Sequence, residues 1–240
     1  MANEGLKTQM FRQAIMETST VAKETLGTLR ILDDGRKFRY AKNGAGALQA
    51  GLIVQALPFL NANHTRCAVA TTVAGKSSVT VTLGATAATA NYYAEGFLQI
   101  AAGANGIGVQ YKILSHPAAD ASATLVVQLA EPLILPLTNG THTVSLLPNQ
   151  YTGLTVATGL VQPVVGVTPR PVAANAFFWL QTGGVCALEQ DTTTALGAVV
   201  VATGNGEAAI GTNWTGPFIG YMLGGTATAD EASPVMLTLD

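Results

Sequence analysis

Thr28-Leu-Arg-Ile-Leu32, Asp33-Asp-Gly35 and Arg36-Lys-Phe-Arg-Tyr-Ala41 form the stretch that decides the fold class. Apolar and polar residues alternate on both sides of an Asp-Asp-Gly turn, with Phe38 and Tyr40 on one face, and period-two alternation around a turn signal predicts a β-hairpin. The same texture runs on through the chain. Strands are expected at Leu52–Leu57, Ser78–Leu83, Gly96–Ile100, Val109–Leu114 and Thr124–Leu129. More follow at Val144–Leu147, Val164–Val167, Ala176–Gln181, Ala198–Val201, Phe218–Leu223 and Val235–Leu239. No helical pattern of roughly 10–15 residues separates them, which favours an antiparallel all-β chain over βαβ units.

Upstream of the hairpin the sequence changes character. Residues 1–42 carry 8 basic and 5 acidic side chains, whereas residues 43–240 carry 4 basic and 9 acidic ones. Between Thr8 and Leu29, Met10 or Phe11, Ala14 or Ile15, Thr18, Val21 and Ala22 recur at helical spacing, with Arg12, Glu17, Lys23 and Glu24 largely opposite. That spacing predicts an amphipathic helix. It would pack on its own domain or dock as an arm on a neighbouring subunit. Phe11 and Ile15 on this arm, with Phe38 and Tyr40 on the hairpin, are the candidate interface residues.

A weak internal echo suggests the domain plan. Phe38–Gly44 followed by Gly51–Val54 resembles Phe177–Gly183 followed by Gly197–Val200, and Phe218–Gly224 is a third, partial copy. The expected architecture is mainly β: an antiparallel barrel or sandwich, with an inserted small β unit and an N-terminal helical arm. Residues 1–30 would form the arm, 31–64 and 149–240 the main β domain, and 65–148 the inserted subdomain.

Chemistry is hard to find in these residues. Only 26 of 240 residues are charged, and a net charge of −2 gives no general attraction to phosphate backbones or anionic membranes, so nucleic acid and membrane are not expected as partners. No apolar run approaches the ~20 residues of a membrane-spanning helix, and no secretion signal opens the chain. Ala70–Ser77 ends like a phosphate-binding loop but leads into a strand instead of a helix, as does the glycine-rich Gly103–Gly108. His64, His116 and His142 lie too far apart for a local metal motif and read as loop histidines. Ser115-His116 with Asp120 would point to opposite faces of a strand, and Asp33-Asp34 and Asp230-Glu231 are explained by turns. Cys67 and Cys186 read as buried small hydrophobes. No catalytic, cofactor-binding or metal-binding residue is expected, and no enzyme.

A resemblance supplies the functional expectation. Asp34–Tyr40, the Ala/Gly-rich Ala45–Val54, the block Gly96–His116, Phe178–Gly184, Ile219-Gly220 and Val235–Leu239 together resemble virion structural proteins of tailed bacteriophages, most of all capsid decoration (cement) proteins. The resemblance implies a protein made in the host cytoplasm that binds the major capsid protein on the outer surface of the head and stabilises it by bridging subunits. A homotrimer is implied in the same way. The alternatives are a tail or fibre module and a bacterial surface adhesin.

Overall fold

A computed structural model of the 240-residue chain describes residues 11–59, 61–158, 162–192, 195–211, 218–224 and 231–240. In chain order, β1 to β3 are Leu29–Ile31, Lys37–Lys42 and Ile53–Gln55. Strands β4 to β9 are Cys67–Val69, Ser78–Thr82, Phe97–Ala102, Gln110–Ser115, Thr124–Leu129 and Thr143–Leu147. Strands β10 to β16 are Thr155–Val156, Val164–Val167, Phe177–Glu189, Val199–Ala202, Ala208–Ile210, Gly220–Met222 and Ala232–Thr238. The chain is mainly β, and it divides into two compact units, Met1–Gln55 with Gly153–Asp240, and Ala56–Thr152.

The second unit is a closed antiparallel barrel in the order β4-β5-β8-β7-β6-β9, with β9 returning to β4. Alternation explains the closure: Val79 and Val81, Leu98 and Ile100, Tyr111 and Ile113, and Leu125 and Val127 all point inward and are buried. Closure leaves no open strand edge. The outer face is neutral over long stretches, and the 97 residues from Ala56 to Thr152 hold only three basic and three acidic side chains.

The first unit is a ten-stranded sheet whose main path is β10-β3-β11-β12-β16-β15-β13-β14, with β1 and β2 joined through β12. The predicted hairpin is present, with Leu29, Arg30 and Ile31 opposite Arg39, Phe38 and Lys37. The two echo segments prove to be antiparallel partners, since Phe38 lies opposite Gln181 and Tyr40 opposite Trp179. At the stem of the chain's excursion into the barrel, Gln55 pairs with Thr155 and Val54 with Val156.

Strand β12, thirteen residues long, organises the sheet. Along one edge it takes β2 and then β16, so that the C-terminal Asp240 reaches Arg39 in an ion pair of 2.7 Å and accepts from Thr182 Oγ1. Both contacts hold the Asp240 carboxyl below the usual carboxylate range, the Arg39 hydrogen bond most strongly. Gly184 sits at the changeover with φ +79°, and the Arg36 backbone passes 2.9 Å from where a Cβ would stand. Only glycine serves there.

The expected helical arm over residues 1–30 is not seen among the described residues. Residues 11–27 are turns that run as a strap across the sheet, and Thr8 to Met10 lie outside the described residues. The backbone groups a helix would pair internally are taken by side chains, local and distant, and by β12. The Gln13 carbonyl accepts from Trp179 Nε1 and Arg30 Nη1, the Glu17 carbonyl accepts from the Gln13 amide, and Ser19 pairs in both directions with Phe177. Thr18-Ser-Thr-Val21 adds residues that form helices poorly.

Candidate functional site

The four residues singled out for an interface come together, but as an interior. Phe38 and Tyr40 are fully buried with Trp179, and Phe11 and Ile15 from the strap pack half-buried against them. The Phe11 ring meets Trp179 edge-on at 5.2 Å, and Arg30 lies 4.7 Å over the Phe11 ring. Gln13, 1% exposed, locks the arrangement: its Oε1 accepts from Tyr40 Oη at 2.8 Å, while its amide donates to the carbonyls of Glu17 and Phe177. Burial raises the Tyr40 pKa, so the phenol stays a donor to Gln13. This cluster fastens the strap and presents little surface to a partner.

The histidines lie outside the strands, as their sequence neighbours suggest, His64 in a short 3-10 turn and His116 and His142 in connecting segments, but they are buried. His64, His116 and His142 are 2%, 3% and 6% exposed, all within the barrel unit. His64 and His116 flank Tyr93, with ring centroids 5.6 and 5.7 Å from the tyrosine ring. Hydrogen bonding assigns the tautomers. His64 Nε2 donates to the Thr86 carbonyl at 2.9 Å, which leaves Nδ1 to accept from Tyr93 Oη. His116 Nε2 accepts from the Tyr93 backbone N–H at 3.0 Å, so its proton sits on Nδ1 and is donated to the Pro117 carbonyl at 2.7 Å. Both rings are satisfied while neutral.

Burial, followed by the proximity of His64, depresses the His116 pKa below the ordinary histidine value. His64, on the far side of the Tyr93 ring, is the titratable neighbour that adds to the depression. Because the unfolded chain takes up a proton near pH 6.5 and the folded chain resists it, the stability from this site is complete above about pH 6.5 and is lost as pH falls toward the folded-state value. Thermal melts of the wild type and His116→Gln over this range should show a shallower acid slope in the variant, whatever its stability at neutral pH. Parallel slopes would remove His116 as the cause. Asp240, also held low, acts in a separate window below about pH 4.

Other reactive groups are inert or isolated. Cys67 and Cys186 are free and buried, with burial pushing the Cys186 thiol up to about 12. No group of three metal-ligating side chains occurs among the described residues, and no helix there is long and apolar enough to cross a membrane. His142 Nδ1 accepts from the Thr138 N–H, while its Nε2 and the neighbouring Thr143 Oγ1 are buried without a hydrogen-bond partner among the described residues.

The surface offers a different feature. Strand registers place Val185, Met236, Tyr221 and Val199 opposite one another in succession, forming one row across β12, β16, β15 and β13. All four point outward, away from the buried Cys186, Val235, Met222 and Val200 of the inner face. Val185 is 45% and Tyr221 41% exposed, with Leu223 and Pro234 exposed nearby. Sequence reasoning missed the row because its members come from four separate segments. Comparison with protein-family models, curated proteins and solved structures finds no match.

Proposed function

We propose that this chain is a structural binding module of a tailed-phage particle, a decoration protein that attaches to the outside of the head and bridges capsid subunits. The observation that carries the reading is the uncharged row Val185–Met236–Tyr221–Val199. An aligned apolar band on a rigid sheet fits attachment to another protein surface, where a desolvated core surrounded by neutral rim residues supplies the affinity. Scarcity of charge on the barrel unit fits the same use, since close approach to a lattice strands few ions away from water. The strap's role is to complete its own unit, so an assembly arm is not required. A trimer on the particle follows from the resemblance and is part of the proposal.

A ligand that binds only the assembled lattice stabilises it by mass action, by ~2.7 kcal/mol per site at a hundredfold excess over Kd. Purified protein added to bare heads should therefore raise the temperature of DNA release. The gain should change little between low and high salt, because apolar contacts are not screened, and Tyr221→Asp should abolish it. No binding to heads, or binding with no gain in stability, defeats the cement reading. Binding to tails instead would support the alternative of a tail or fibre module.

A further inference from the structure

Among the described residues, strand β12 carries a stretch of edge with no strand paired to it, bounded by Val167 at one end and Gly51 at the other. Its odd-numbered residues point their backbone groups away from β16: Glu189 N–H donates to the Gly51 carbonyl, Phe177 exchanges bonds with Ser19, and Gln181 lies opposite Val167 of β11. The even-numbered residues serve the other edge, as Gln190 N–H to the Glu231 carbonyl shows. Pro234, opposite Ala187, gives its carbonyl to Leu223 of the next strand, so Ala187 has no ladder bond to β16. Between the contacts at Gln181 and Glu189, therefore, Val185 and Ala187 face outward along the strand plane. The amides of Val185 and Ala187 and the Ala187 carbonyl have no partner among the described residues.

A groove of about 480 Å³ opens along this stretch, lined by Val185 and Ala187 of β12, by Val167 and Pro169 beside it and, across β12, by Ala232 and Pro234 of β16. Gln181 is buried beneath it and spends its amide on the Gly183 and Val185 carbonyls, which holds the edge extended while no strand is paired to it. Among the described residues, the one charged side chain lining the groove is Arg36. Asp34 fixes its Nε at 2.7 Å, leaving both Nη groups without a partner among the described residues.

We infer that this groove is a strand-addition site that takes an extended peptide segment of a partner protein, apolar or small in its side chains and carrying one carboxylate. Its main chain pairs with Val185 and Ala187, and its carboxylate meets Arg36 near Gly184. Main-chain pairing gives the affinity and the lone cation fixes the register. The site shares Val185 with the row proposed to contact the capsid and adjoins it at Pro234, and it does not rest on that reading.

The test selects short peptides from a random displayed library with the full chain as bait. Enriched sequences should be extended, uncharged apart from one Asp or Glu, and free of proline at pairing positions. Backbone N-methylation at alternate residues of such a peptide should abolish binding in one register and spare it in the other. Arg36→Gln should weaken the acidic peptide about tenfold and leave its Gln analogue unchanged. Bound peptide should slow amide exchange at Val185 and Ala187, while Gly184 and Cys186, facing β16, stay as they were. No enrichment, indifference to N-methylation, or protection elsewhere in the sheet would overturn the proposal. Since heads are absent from this assay, its failure leaves the capsid reading standing, and failure on heads leaves this site standing.

Discussion

Trp179→Ala should lower the stability of the sheet unit by ~3–5 kcal/mol, the range for emptying a large, fully buried aromatic site. The ring is fully buried against Tyr40 and receives the Phe11 edge, so truncation opens a cavity and removes one wall of the strap's seat. It also deletes the indole N–H that holds the Gln13 carbonyl. Two readouts follow. Amide exchange of β2 and β12 should accelerate, and trypsin should cut at Arg12 and Lys23 in the variant under conditions where the wild type is spared. Trp179→Phe, which keeps a ring but loses the donor, should cost only ~1 kcal/mol. If the alanine variant melts with the wild type and its strap resists trypsin, the strap is held by something other than this cluster.

Tyr93→Ala is the corresponding change in the barrel, again with an expected loss of ~3–5 kcal/mol. Tyr93 is 1% exposed, lies between two buried imidazoles and stacks edge-on with Tyr92 at 4.9 Å. Tyr93→Phe separates packing from polarity. It retains the ring but leaves His64 Nδ1 as a buried acceptor without a donor, which should cost ~1–3 kcal/mol. Amide exchange at Leu98 and Leu125, on two walls of the barrel, measures both variants. Equal stability of the phenylalanine variant and the wild type would mean that the hydroxyl to imidazole bond contributes nothing net.

The strands were legible where one face meets the core and the other meets water. Burial along Thr124–Leu129 alternates without interruption although the outward Val126 breaks the polar pattern, and β8 has those bounds. The hairpin at Leu29–Lys42 was legible for the same reason. The strap was not, because Phe11 and Ile15 stand four apart for a reason unrelated to helix: both reach into one aromatic cluster while the backbone between them turns. The residue that decides that path is Gln13, and a glutamine's amide bonds to main chain leave no periodic trace. The burial of His64 and His116 was not legible for a related reason. Their neighbours Asn63, Ser115 and Pro117 have loop character, and what buries the rings is Tyr93, 29 and 23 positions away. The unpaired stretch of β12 was invisible as well, since it is defined by which strands, among the described residues, fail to arrive beside Val185 and Ala187.

The pairing of Gln55 with Thr155 and of Val54 with Val156 means that the chain leaves the sheet and re-enters it at adjacent rungs. A ladder spanned in this way needs only a turn to remain continuous. Whatever hangs between the rungs can be exchanged for another self-closed module, lengthened or dispensed with, and the sheet keeps its register. The barrel is thus a cassette, which evolution or an engineer can vary on its own schedule while the ladder at its stem stays continuous.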